Sequence, residues 1–332
     1  MSHKTIIVAT PYSSDLDRWQ QVLSDTGDLR IVAHAPGLME LFNKVEHGPP
    51  NIVLVAAELC TADEFELIVT LFDALDVRWI KFTSLEGSAS GLNAPANRSN
   101  TSGLFHASLS DNPSALVGQV RSLANAQQRA ERPAPQKMGR TGRRFKRMVL
   151  IGASTGGVDA LKTVLSQFGP DCPPTVVLQH TSPGFGAGLC RVLDRASGAH
   201  VRLYEPDVAL QSGTIFVVAG LPEHVVLTAD KRPHLQSSPA GLISGHRPSI
   251  DKLFSSSLPF ASRIVACVLT GMGADGAKGL LDLREAGART LSQDRETSVV
   301  YGMPGAAWSN GGSMRQVPLH EMGDSLLKEA TL

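Results

Sequence analysis

The sequence predicts an α/β protein built from two doubly wound open sheets, and three observations lead there. The chain has 332 residues, enough for two domains of roughly 100–200 residues each. Short apolar runs alternate with helix-like stretches twice over, as expected of strands buried in parallel sheets between helices. Between the two series the chain turns basic, gains Pro133, Pro135, Gly139 and Gly142, and has few apolar residues, which is linker composition. The expected division is therefore 1–124, a linker over 125–147, and 148–332.

In the first unit Thr5–Ala9 reads as a strand and Ser14–Thr26 as a helix, with Leu16, Trp19, Val22 and Leu23 on one face. Asp28–His34 is a second strand, Gly37–Val45 a second helix, and Ile52–Ala57 a buried strand. Thr61–Leu75 reads as an acidic helix opened by a hydroxyl cap. Val77–Thr83 and Gly103–Ala107 complete the strands, with a Gly/Ser/Asn-rich loop at 87–102 between them, and Asn112 to about Gln128 is the closing helix. In the second unit Met148–Gly152, Thr175–Gln179, Ile215–Ala219 and Ile264–Thr270 read as strands, and Val158–Phe168 and Ala277–Ala286 as helices.

Composition narrows the function. Hydrophobic residues make up 42% and charged residues 19%, which excludes a disordered chain. The longest apolar runs fall far short of the ~20 residues of a membrane span. The N-terminus runs straight into a strand without a secretory signal, so a cytoplasmic protein is expected. Cys60, Cys172, Cys190 and Cys267 are scattered, without CxxC pairing, and read as buried small hydrophobes rather than a zinc or disulfide framework. Net charge is zero from 31 basic and 31 acidic residues, but the distribution is uneven. Residues 1–128 carry 8 Lys/Arg against 14 Asp/Glu, residues 129–147 carry 8 against 1, and the remainder 15 against 16. The basic segment lacks aromatic interleaving apart from Phe145, so no nucleic-acid partner is expected. It reads as a solvated tether, with packing against its acidic neighbour as the alternative.

Three Gly-rich or polar turns of the second unit each directly follow a strand, which in an open parallel sheet places them at the carboxyl edge, where ligands bind. Gly152-Ala-Ser-Thr-Gly156 fits G-x-S-x-G in a strand–turn–helix context. There the serine hydroxyl is exposed at a helix N-terminus, with the Thr155 amide first in line for a developing oxyanion. Serine is a weak nucleophile and needs a base. His180 ends the next strand, and Asp275, on the later glycine turn, is placed to orient it. A dinucleotide fingerprint fails on spacing, and no acid ends the second strand. The chain order Ser, His, Asp differs from that of the usual α/β-hydrolases.

Several blocks in order carry a resemblance: Ile151-Gly-Ala-Ser-Thr-Gly-Gly157, Gln179-His180 with Gly184-Phe185, and Ser212-Gly-Thr214 leading to His224. They continue with His246-Arg-Pro-Ser-Ile-Asp251, Leu269-Thr-Gly-Met-Gly-Ala-Asp-Gly276, Gln293-Asp294 and Val299-Val-Tyr-Gly-Met-Pro304. Through them residues 148–322 resemble the catalytic domain of the chemotaxis receptor protein-glutamate methylesterases, the CheB family. The resemblance implies a Ser154 nucleophile, a His180 base, an orienting Asp275 and an oxyanion site from the backbone at Thr155 and Met272. It further implies hydrolysis of glutamate γ-methyl esters on methyl-accepting chemoreceptors, and glutamine deamidation by some members, with no metal or cofactor. His246 has no partners at metal-ligand spacing in the sequence. The family's Met-Pro after the histidine is replaced here by Thr181-Ser182, which bears on the local loop and substrate groove.

The first unit resembles a response-regulator receiver, a flavodoxin-like fold and the family's usual partner domain. The positions of the receiver's metal-binding acids read Ala9-Thr10, and Ala56 stands at the phosphoacceptor position. Thr83 matches the receiver's hydroxyl position, and Ser108-Leu109 replaces its lysine-proline. Phosphoryl transfer needs a carboxylate nucleophile and a metal, so a pseudo-receiver is expected, controlled or docked through other chemosensory proteins rather than phosphorylated. Alternative readings are a catalytically weak signalling adaptor and a small-molecule esterase.

Overall fold

The computed structural model describes residues 3–62, 64–75, 77–85, 105–125, 145–228 and 232–331. The chain divides into two units, Met1–Arg132 and Pro133–Leu332, and each has its own apolar core. Among the described residues no helix is long and apolar enough to cross a membrane.

The first unit runs β1 (Lys4–Ala9), α1 (Ser13–Leu23), β2 (Leu29–Ala35), α2 (Leu38–His47), β3 (Ile52–Ala56), α3 (Phe65–Ala74), β4 (Arg78–Thr83), β5 (Phe105–Ser108) and α4 (Pro113–Asn125). Its five strands are all parallel, in the order β2-β1-β3-β4-β5, which is the flavodoxin-like order. The central strand β3, Ile-Val-Leu-Val-Ala, is buried along its whole length, as a parallel strand covered on both faces must be. Trp19 of α1 is fully buried, its ring edge-on to Phe82 of β4 at 5.6 Å.

Two helices of the first unit depart most from the sequence reading, and in the second unit the helix expected over Val158–Phe168 ends at Leu165. The expected helix over Thr61–Leu75 starts only at Phe65, after a 3₁₀ turn at Leu59–Thr61. The Thr61 hydroxyl donates back to the Glu58 carbonyl at 2.8 Å, so it closes that turn instead of capping the helix. Helix α1 ends at Leu23 rather than Thr26, because the Ser24 and Thr26 hydroxyls donate to the carbonyls of Gln21 and Leu23. The loop expected at 87–102 and residues 126–144 of the expected linker lie outside the described residues. The linker's last two residues belong to the second unit, where the Lys146 and Arg147 amides donate to the Ala330 carbonyl and Arg147 Nη1 to that of Glu329.

The second unit opens with β6 (Met148–Ala153), α5 (Gly157–Leu165), β7 (Thr175–Gln179), α6 (Gly186–Ala196), β8 (His200–Leu203), β9 (Val208–Ala209) and β10 (Thr214–Ala219). It continues with β11 (His224–Thr228), β12 (His234–Ser238), α7 (Ile250–Ser256), β13 (Ile264–Val268), α8 (Ala277–Glu285), β14 (Arg289–Gln293), α9 (Met303–Ser309), β15 (Arg315–Val317) and α10 (Leu319–Thr331). Seven strands form one parallel sheet, β15-β14-β13-β6-β7-β10-β8, and β11-β12-β9 form a small antiparallel one. Strand β6 is flanked by β7 on one side and by the much later β13 on the other, so the chain reverses its progression there. The carboxyl ends of strands at such a switch point open a crevice.

Candidate active site

The turn after β6 is fixed by its neighbours on both sides. Gly156 caps α5 with φ +78°, and a Cβ there would lie 2.6 Å from Val299 Cβ, so only glycine fits. The Ser154 amide donates to the Thr270 carbonyl at 3.0 Å, and its carbonyl accepts from Gly157 N at 2.7 Å and Gln179 Nε2 at 2.8 Å. A Cβ on Gly271 would come 2.7 Å from Ser154 Cβ, so the glycine turn after β13 closes against the serine directly. The Ser154 hydroxyl and the Thr155 and Met272 amides have no hydrogen-bond partner among the described residues.

His180 follows β7, and its amide donates to the Ala153 carbonyl at 3.0 Å, one residue before Ser154. Gln179 Nε2 bridges the Ser154 and His180 carbonyls, at 2.8 and 2.9 Å. The His180 ring turns Nε2 to Asp275 Oδ2 at 2.9 Å, with its side chain 9% exposed and that of Asp275 fully buried. A carboxylate can only accept, so Nε2 carries the proton and Nδ1 holds a free lone pair. That Nδ1 is buried and without a partner among the described residues.

Asp275 is held from three further sides. Ser249 Oγ donates to Oδ1 at 2.8 Å, Ile250 N to Oδ2 at 2.8 Å and Asp251 N to Oδ1 at 3.0 Å. The last two amides open α7, so the carboxylate sits on that helix's positive end. Burial pushes the Asp275 pKa up, but the bonds from His180, the two amides and Ser249 outweigh it and hold the group below the usual carboxylate value. Burial depresses the His180 pKa, the Asp275 hydrogen bond opposes this, and the nearby His246 adds to the depression. His180 is therefore a neutral imidazole at neutral pH, with an acceptor nitrogen to spare.

Of the three residues predicted from strand ends, His180 and Asp275 are hydrogen-bonded to each other, and the Ser154 turn is tied to His180 through the Ala153 carbonyl and Gln179, with no hydrogen bond from the Ser154 hydroxyl to His180. The sequence reading of His246 needs correction. Spacing along the chain gave it no partners, yet its ring lies on that of His180, and ligand atoms of His180, His246 and Asp275 fall within 4.8 Å of one another. The fold closes the 65 residues between the two histidines, which no local spacing could show. Asp275 already accepts four hydrogen bonds, and parallel stacked rings cannot aim their in-plane lone pairs at one point. This arrangement does not fit a metal.

Sequence reasoning also missed the supports. Gln179 bridges two carbonyls, Ser249 holds Asp275, and Thr270 ties the Thr155 and Val300 segments together through Oγ1 while its amide donates to Gln293 Oε1 at 2.8 Å. Buried polar side chains at the ends of core strands were the available signal. Gln179, Thr270 and Gln293 are all at most 4% exposed and each makes hydrogen bonds, although Gln179 Oε1 has no partner among the described residues.

The family model described as CheB methylesterase matches residues 149–326, and the chain belongs to that family. It is 39% identical over 228 residues to a "Protein-glutamate methylesterase/protein-glutamine glutaminase" of Agrobacterium fabrum, covering 65% of this chain and 64% of that one. A relative of Bradyrhizobium diazoefficiens, named for the same activities "of group 3 operon", matches over 91% of this chain and 90% of its own at 29% identity. Among solved structures, the Thermotoga maritima CheB methylesterase catalytic domain superposes with a TM-score of 0.53 and 29% identity, covering 55% of this chain and 97% of that one.

Proposed function

We propose that this chain is a cytoplasmic serine hydrolase that removes methyl groups from glutamate γ-methyl esters of methyl-accepting chemoreceptors. The observation that carries the reading is the His180 ring, bound through Nε2 to Asp275 and free at a buried Nδ1 beside the Ser154 turn. In this reading the Ser154 Oγ–H proton passes to His180 Nδ1 as Oγ bonds to the ester carbonyl carbon. Charge on the carbonyl oxygen is met by the Thr155 and Met272 amides. The imidazolium returns its proton to the departing methoxide and methanol leaves. Water, deprotonated by His180, then cleaves the glutamyl ester of Ser154 to a carboxylate and the free serine. The same steps on a glutamine side chain release ammonia, in keeping with the double name of the relatives.

The first unit is proposed to regulate or dock without being phosphorylated. Ala56 ends β3 fully buried, and Thr10 ends the segment where the resemblance places acids. Asp15, the acid closest in sequence, is committed to Thr10 Oγ1 at 2.7 Å and the Leu85 amide at 3.0 Å. These residues do not fit a Mg²⁺-assisted phosphoacceptor site.

The direct test is methanol release from methylated receptor by the full chain and by Ser154→Ala. Release by the wild type alone is expected. No release, or full activity in the variant, would sink the proposal. Rapid turnover of a nitrophenyl ester with receptor left untouched would point to a small-molecule esterase instead.

A further inference from the structure

We propose that His246 is a positioning residue of this site, whose ring, stacked on His180, fixes the plane in which His180 presents Nδ1 to Ser154. The inference rests on the reading of His180 as the base. The two rings lie 3.9 Å apart between centroids and 3° from parallel. One hydrogen bond to Asp275 pins a single ring atom and leaves the imidazole free to turn about that contact. A flat group against one face removes the remaining freedom and keeps water from that side, as precise placement of a base requires.

The surroundings of His246 are built to hold it there. It leaves a two-residue hairpin turn in which Ile243 and His246 bond each other's backbone at 3.2 and 3.0 Å. The central residues Ser244 and Gly245 have φ of +52° and +80°, the pair of positive values of a tight type I′ turn. His246 Nδ1–H donates to the Ser244 carbonyl at 2.8 Å, which sets the ring's tautomer and orientation. The Ser244 hydroxyl donates to Asp251 Oδ2 at 2.7 Å, and Asp251 Oδ1 accepts from Gly279 N at 2.7 Å. Behind the turn, the fully buried His224 donates from Nε2 to the Gly241 carbonyl and accepts from the Ser249 amide at Nδ1. Residues 249–251 therefore anchor both partners of His180: they bind Asp275 directly and His246 through its turn.

The titratable groups around His180 are Asp275 at Nε2, His246 on the ring face and Asp251 behind Asp275. Removing the His246 ring opens the face of His180 to water and weakens the burial that depresses its pKa. The test pairs His246→Ala with His246→Phe, which keeps a flat ring and loses both nitrogens, and with His246→Gln, which keeps polarity and loses the ring. For His246→Ala, kcat for methanol release is expected to fall about 100-fold with little change in KM, and the acid limb of the pH profile to move to higher pH. His246→Phe should recover most of the kcat and the wild-type pH limb, and His246→Gln should not. Unchanged kcat in His246→Ala, or rescue by Gln rather than Phe, would overturn the proposal. Nitrogen-15 NMR of the imidazoles in the Ser154→Ala background reads the same point without substrate. There His180 should keep its Nε2–H tautomer both with the native His246 and with His246→Phe. In His246→Ala it should mix tautomers and titrate higher; an unchanged His180 spectrum would overturn the proposal. A wild type that releases no methanol would defeat the proposed function, while the NMR comparison would still decide the stack.

Discussion

Two parallel sheets in this chain end differently at their carboxyl edges. In the first unit polar groups there bond one another among the described residues: Thr10 and the Leu85 amide bond Asp15, and Ser84 Oγ bonds Glu58 at 3.1 Å. In the second unit Gln179 Nε2, Thr270 and Ser249 bond the scaffold together, but the groups facing the crevice are left open. The Ser154 hydroxyl, the Thr155 and Met272 amides and His180 Nδ1 lack partners among the described residues. A buried polar group without a partner costs stability, so an edge that leaves His180 Nδ1 buried and unpaired near the open serine and glycine turns suits a reacting molecule. An edge that closes its own bonds is arranged for shape. The same architecture serves both ends because chemistry resides in the residues placed on it.

The largest expected effect comes from erasing the difference on the reactive side. Ser154→Ala should lower methanol release by at least about 10⁴-fold with unchanged circular dichroism; a smaller loss would mean that another nucleophile operates. Asp275→Asn comes next, with a loss of about 10²–10⁴-fold, because the amide can no longer accept from every donor and no longer enforces the Nε2–H tautomer. Its pH profile would show whether the tautomer or the fold had failed.

Without any mutation, kcat/KM should fall as pH drops, with its midpoint below the ordinary histidine value of about 6.5. The sign follows from the depressed His180 pKa: protonation fills Nδ1, and the depression moves that event to lower pH. A midpoint above that value would contradict the burial of the ring. In the first unit, Asp15→Ala should cost about 1–3 kcal/mol in urea unfolding by leaving the Thr10 hydroxyl and Leu85 amide unmatched. The smallest effect is a null one: acetyl phosphate with Mg²⁺ should add no phosphate, by intact mass, to the wild type or to Ala56→Asp. A phosphorylated Ala56→Asp would show that the edge retains metal-binding capacity.

Much of the fold was legible because long buried strands announce themselves. Ile52–Ala56, Thr175–Gln179 and Ile264–Val268 are apolar runs between turn residues and are buried along their length. What escaped were elements whose burial is not written in apolar residues. Strand β14, Arg-Thr-Leu-Ser-Gln, is polar in sequence, yet four of its five residues are buried. Edge strands such as β8 and β15, of four and three residues, are too short to show a period. Helix starts were misplaced where a hydroxyl closed a turn instead of capping, as Thr61 does.

By itself the sequence determined the fold class, the order of the long buried strands and their turns, and the identity of Ser154, His180 and Asp275 as residues that follow such strands, because those properties are local. Strand period, turn chemistry and a serine between glycines are all decided within a few residues. Only the tertiary structure decided which strand ends share a crevice, which nitrogen of His180 is left free, and that His246 lies flat against it. Those facts depend on contacts between segments many residues apart, set by the packing of β6 between β7 and β13.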